Sequence, residues 1–124
     1  VKTAGGVITG ANYDYAVSGY TSAGNALTGA SNNQVHIQIG QDASSDTEKV
    51  STYKITLFNP MDTTRWKQMQ IQSAYFCNNS SDQRFLNGSA IYKQGTAVTG
   101  IQIRGQGTSN IIKHADVVVY GRKS

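Results

Sequence analysis

Short segments in which apolar and polar residues alternate constrain the fold of this chain more than any other feature. In residues 65–76, Met69, Ile71 and Tyr75 share one phase and glutamines occupy most of the other; residues 34–40 alternate in the same way. A period of two is typical of a strand with one buried face. No long segment carries a helical period with capping residues, so the pattern predicts strands throughout.

These segments predict an all-β protein. About eight to ten short strands recur at spacings of roughly 8–14 residues, which favours an antiparallel β-sandwich of jelly-roll type over a barrel or an α/β fold. The valine run near the C-terminus predicts a central strand covered on both faces. Further strands are expected at 50–58, 84–86, 89–93, 98–104 and 114–120, besides those at 34–40 and 65–76.

The length of 124 residues fits a single domain, within which the composition changes after residue 33. Residues 1–33 are rich in Gly, Ser, Ala, Thr and Asn. They predict an entry segment or an arm that packs on a neighbouring subunit, with short strands at 6–9, 13–17 and 26–27. Residues 34–124 form the predicted β-sandwich domain. The glycines of the first segment are interpreted as turns or bulges.

Charge and cysteine content exclude several classes of protein. The net charge is +4, but the 11 Lys and Arg are scattered rather than arranged as a stripe, so no nucleic-acid partner is expected. No apolar run is long enough to cross a bilayer as a helix, so membrane insertion is not expected either. A single cysteine, Cys77, excludes a disulfide within the chain.

The polar residues do not form a recognisable catalytic or metal-binding motif. The glycines around Gln106 are not followed by the Gly-Lys-Ser/Thr that ends a phosphate-binding loop. His114 and Asp116 could join a serine in a catalytic triad, but the sequence has no Gly-x-Ser-x-Gly nucleophile elbow. The acidic loop 41–49 does not have the spacing of an EF-hand. The sequence therefore predicts no enzyme activity, no cofactor and no metal.

Aromatic and amide side chains are the better candidates for binding. Tyr and Trp can stack on apolar faces of sugar rings, while Asn and Gln hydrogen-bond to hydroxyls. We expect the ligand or partner in the loops 77–84 and 105–110, and the glutamine face of residues 68–72 is a second candidate. The predicted contact residues are Trp66, Tyr13, Tyr15, Asn78, Asn79, Gln106 and Asn110. Tyr53, Tyr75 and Tyr120 are expected in the core or at a subunit interface.

Motifs in the second half of the chain resemble a known family. Trp66 on a strand is followed by an Asn-rich loop, then by Thr99-Gly100-Ile101, Ser109-Asn110-Ile111 and a closing Val119-Tyr120-Gly121. This order is similar to that of the C-terminal β-sandwich domains of bacteriophage tail fibres and tailspikes. The resemblance covers about half of the chain. Gln102 departs from it, because an arginine commonly follows the isoleucine.

The resemblance implies a phage structural protein at the outer surface of the virion. Such a domain is expected to bind host glycans or to lock a homotrimer, with other phage structural proteins and host surface polysaccharide as partners. A capsid decoration protein that stabilises the head is the alternative. An enzyme that degrades polysaccharide is a third, less favoured hypothesis.

Overall fold

The chain is all-β and antiparallel in the part that the structure describes, as the alternation predicts. The structure, a computed structural model, describes residues 1–8, 10–40, 43, 50–78, 80, 82–103 and 116–121, and none of these forms a helix. They form strands β1 (Lys2–Thr3), β2 (Gly6–Val7), β3 (Tyr13–Thr21), β4 (Ala26–Gln34), β5 (Thr52–Leu57), β6 (Lys67–Phe76) and β7 (Gln83–Tyr92).

A five-stranded sheet of order β4-β3-β7-β6-β5 is the main element, and β1 and β2 form a separate two-stranded sheet. Every pairing is antiparallel. β3 and β4 form a hairpin, and β5, β6 and β7 follow one another across the other half of the sheet. The pairing of β3 with β7 joins the two halves through residues more than 60 positions apart in the sequence. Sheets of five and two strands are consistent with a β-sandwich.

One face of the large sheet carries the core, and we call it the inner face. The predicted phase of β6 is confirmed: Met69, Ile71, Ser73 and Tyr75 are buried, whereas the glutamines between them are exposed. The core cluster consists of Tyr13, Met69, Ile71, Ala90, Tyr92 and Val98, and the partly buried residues packed against it are Val1, Ile8, Tyr15, Ile37, Ile39 and Leu57. Apolar burial on one side only explains why the alternation is so regular.

The strand predicted at residues 34–40 is wrong beyond Gln34, where β4 ends. Residues 35–40 instead belong to the connection from β4 at one edge of the sheet to β5 at the other. Ile37 and Ile39 still pack against the core. The alternation therefore indicated correctly that Ile37 and Ile39 share a side, but Val35, which it placed with them, is 44% exposed. It did not show whether a neighbouring strand pairs with the backbone.

Residues 1–33, predicted as an entry segment or arm with short strands, contribute β3 and nearly all of β4 to the large sheet. β3 lies between β4 and β7 and pairs with both along nearly its whole length. Gly19 and Gly29, interpreted as turns or bulges, lie inside strands, whereas Gly24 does form the turn between β3 and β4 with a φ of 85°. Small residues are suited to close strand pairing, which the composition alone did not reveal.

Four further strand predictions need correction. The strands predicted at 84–86 and 89–93 are one continuous strand, β7, which runs through Gly88. The strands predicted at 98–104 and 114–120 are not present among the described residues 98–103 and 116–120, apart from a single bridge between Gly100 and Lys2. In particular, Val117, Val118, Val119 and Tyr120 are 68–91% exposed rather than covered on both faces.

Candidate binding face

The exposed face of the five-stranded sheet, which we call the outer face, is the most extensive candidate surface of the described residues. The strand registers place its side chains in rows that cross all five strands. One row consists of hydrogen-bonding side chains, and we call it the polar row: Lys54, Gln72, Asn87, Ser18 and Thr28. All five residues are exposed. Since neighbouring strands are ~4.8 Å apart, the row spans roughly 19 Å.

An aromatic pair lies in the next row, two residues along each strand. Tyr20 and Phe85 are direct cross-strand partners, and they are 63% and 45% exposed. Directly opposed residues on one face of a sheet lie within contact distance of each other. The remaining members of this row, which we call the aromatic row, are small: Thr52, Ala74 and Ala26. The rings of Tyr20 and Phe85 are therefore the largest side chains of the aromatic row.

A shallow depression of about 310 Å³ lies where the polar row crosses β5, β6 and β7. Gln70, Gln72 and Asn87 line it with amides, and Lys54 and Thr56 close its β5 side. Ile71 and Gly88 complete its lining. This volume is at the lower end of the ~300–1,000 Å³ range of ligand pockets.

The outer face carries almost no unpaired charge. Its one acidic residue, Asp14, accepts hydrogen bonds from Lys93 Nζ at 2.8 Å and from the Asn33 backbone N–H at 2.7 Å. The hydrogen bond from Lys93, followed by that from Asn33, lowers the pKa of Asp14 below its ordinary value of 3.8. Lys54 is left as the one charge within the polar row. A surface of amides and hydroxyls with a single cation favours a neutral or weakly acidic polar ligand.

The predicted contact residues do not come together in one place. Trp66 is 60% exposed and directly precedes β6, and Asn78 is exposed after the other end of the same strand. A ten-residue strand separates them, which is roughly 33 Å in extended geometry. Asn79, Gln106 and Asn110 lie outside the described residues.

Two predicted contact residues lie on the inner face. Tyr13 is 2% exposed and stacks on Tyr92 with ring centroids 5.4 Å apart, so its ring belongs to the core and is not available to a ligand. Burial, and secondly the neighbouring Tyr92, raises the pKa of Tyr13 to about 12. Tyr15 is half-buried, and its hydroxyl donates to Gln38 Oε1 at 3.4 Å.

The depression beside Tyr15 is too small for a sugar ring. Its volume is about 70 Å³, and it lies between the inner face and the connection that contains Gln38. Leu27, Leu86 and Tyr75 supply most of its apolar lining, and the guanidinium-bearing Arg84 lies at its side. The outer face is therefore the better candidate for ligand binding.

No metal centre is present in the described part of the chain, where no group of three or more His, Cys, Asp or Glu side chains could hold an ion. The acidic loop considered for calcium lies outside the described residues except for Ala43. His114 lies outside them as well, and Asp116 is exposed. A search for helices able to cross a membrane finds none among the described residues.

Sequence reasoning identified part of this face and missed the rest. The glutamines of residues 68–72 were singled out as a surface for sugar hydroxyls, and Gln70 and Gln72 do line the depression. Phe85 and Asn87 were missed because Gly88 was treated as a break between two strands. The pairing of these residues with β3 is not visible in local sequence.

Comparison of the chain with protein-family models, with curated proteins and with solved structures gives no match.

Proposed function

We propose that this chain is a carbohydrate-binding structural domain of a bacteriophage virion, of the tail-fibre or tailspike type, and that its outer face binds the glycan. The observation that carries the binding role is the polar row beside the exposed Tyr20–Phe85 pair. The phage assignment is supported by the sequence motifs around Trp66, Thr99-Gly100-Ile101 and Val119-Tyr120-Gly121.

The chemistry of the outer face suits a polysaccharide. A sugar has apolar C–H faces that stack on aromatic rings and a rim of hydroxyls that both donate and accept hydrogen bonds. Gln72 and Asn87 offer a donor and an acceptor each, and Ser18 and Thr28 extend the row across two more strands. A row that crosses the whole sheet fits an extended chain of several sugar units. Bacterial surface polysaccharides have this form.

The binding face is testable by substitution on an array of bacterial surface polysaccharides. Phe85→Ala removes one ring of the aromatic row, and Asn87→Ala removes one amide of the polar row. Each change is expected to weaken binding about fivefold, because a net hydrogen bond or stacking contact contributes ~1 kcal/mol. Val35→Ala is the matched control, since Val35 is 44% exposed, close to the 45% of Phe85, and lies outside the sheet.

Two further variants distinguish this face from the sites predicted at the ends of β6. Trp66→Ala and Asn78→Ala leave the polar and aromatic rows intact. If these two abolish binding while Phe85→Ala and Asn87→Ala bind normally, the outer face is not the glycan site. If the wild-type chain binds no polysaccharide but binds purified capsids, the decoration role replaces the glycan-binding one. A polysaccharide shortened by incubation with the chain would instead indicate an enzyme.

A further inference from the structure

Lys54 carries a charge that no described residue neutralises. It is exposed on β5, and none of the described carboxylates forms an ion pair with it. The acid of the outer face, Asp14, is already paired with Lys93 at 2.8 Å. The strand registers place Asp14 roughly 13 Å along the strands and ~14 Å across them from Lys54, which exceeds the ~10 Å over which salt screens exposed charges. The charge of Lys54 is therefore available to a ligand.

Amide and hydroxyl groups surround this charge in the depression of the outer face. Gln72 is the direct cross-strand partner of Lys54, and Asn87 is the partner of Gln72 on the next strand. Gln70 and Thr56 form the adjacent pair on the same face. Directly opposed side chains have Cβ atoms ~5 Å apart, so these groups can contact one ligand together. All of them line the depression, and each is a hydrogen-bond donor.

One cation among neutral donors matches a ligand group that carries a single negative charge. A carboxylate has two oxygens that only accept hydrogen bonds, and a bond from a lysine ammonium to it is stronger than one between neutral groups. Phosphate is more often recognised by arginine forks, and the described lining of the depression contains no arginine and no second cation. The net charge of +4 adds a long-range attraction for a polyanion. A carboxylate is therefore the group that fits this depression best.

We infer that the glycan bound by the outer face is an acidic polysaccharide, and that the carboxylate of a uronic-acid sugar binds Lys54 Nζ in the depression. The inference rests on the proposed glycan-binding function and adds the chemical class of the glycan. The three amides of the depression donate hydrogen bonds to the carboxylate and to the hydroxyls beside it. The Tyr20–Phe85 pair begins two strands away and one row along from Lys54, so a different sugar of the same chain stacks on it.

Carboxyl reduction of the polysaccharide tests the inference, because it turns each sugar carboxylate into a neutral alcohol and leaves the sugar rings in place. Every uronic-acid-containing polysaccharide of the bacterial array is offered in its native form and in its carboxyl-reduced form. The wild-type chain is expected to bind the native form about fivefold more tightly at low salt, which is the effect of one exposed ion pair. The preference should shrink as salt is added, because salt screens exposed charges.

Substitution of Lys54 locates the preference. Lys54→Gln removes the charge and keeps a hydrogen-bonding group, so it is expected to bind the native form about fivefold more weakly and the reduced form as the wild type does. Lys54→Arg keeps the charge and is expected to keep the preference. Arg65→Gln is the matched control, since it also removes one positive charge, its side chain is 79% exposed and it lies before the start of β6. This control is expected to prefer the native form as the wild type does.

Failure of the inference and failure of the proposed function give different results. If the wild type binds both forms equally and Phe85→Ala weakens binding to both, the outer face binds glycans without regard to their charge, and only the inference is wrong. The inference is also wrong if Arg65→Gln loses the preference as fully as Lys54→Gln, because net charge then explains the preference. If the wild type binds neither form of any polysaccharide, the proposed function and the inference are both wrong.

Discussion

At the scale of single residues, Asp62 shows how local chemistry fixes a turn. Its carboxylate accepts hydrogen bonds from the Thr64 backbone N–H at 2.7 Å, from the Arg65 backbone N–H at 2.9 Å and from the Thr64 hydroxyl at 2.9 Å. These bonds, that from the Thr64 backbone first, lower the pKa of Asp62 from 3.8 to about 2. The ionised side chain therefore stabilises the connection between β5 and β6.

The lowered pKa predicts a pH-dependent contribution to stability. The ionised form is favoured in the folded state, so the contribution is complete above pH 3.8 and is lost as the pH falls to about 2. Asp62→Asn is expected to lower the Tm most at neutral pH, and the difference from wild type should shrink toward pH 2. Thermal melts across this range measure it. Asp116→Asn, at an exposed carboxyl, is the control. A Tm difference between Asp62→Asn and the wild type that stays constant with pH contradicts the mechanism.

Such residue-scale features could be predicted from sequence where the partners are neighbours in the chain. The bend after Asn59-Pro60 is an example, since the backbone donors to the Asp62 carboxylate lie two and three residues along the chain. The burial of Tyr13 could not be predicted in this way. Its stacking partner is Tyr92, which β3–β7 pairing brings alongside it from 79 positions away. Tyr13 therefore looked like a surface aromatic.

At the scale of elements, the sequence predicts which side chains of a segment share a face, but it does not predict which strands pair. Alternation predicted correctly which side chains of β6 share one face, and that face is the buried one. It also predicted a strand at residues 34–40, of which only Gln34 belongs to a strand. An alternation of period two indicates that a segment has two distinct sides. Such a segment can pack against a sheet without its backbone pairing with a strand. Whether a partner strand is present depends on the rest of the chain.

Close packing of β3 against β7 yields a second prediction at this scale. A Cβ atom at Gly19 would collide with the backbone carbonyl oxygen of Phe85. Gly19→Ala is therefore expected to cost about 1–3 kcal/mol or more, because the neighbour is backbone and cannot rotate away. Gly29→Ala on β4 is the matched control, since its Cβ would make an ordinary 3.4 Å contact with Val17. Urea denaturation measures both, and equal effects would contradict the argument.

At the scale of the whole molecule, the candidate binding face is a product of topology. Its amides on β6 were visible as a run of glutamines, but the aromatic pair joins Tyr20 to Phe85 across 65 positions. Ser18 and Thr28 come from a segment that composition alone made look like an arm. The sequence therefore predicted the chemistry of the surface and one of its strands. The rows exist only because β3 inserts between β4 and β7.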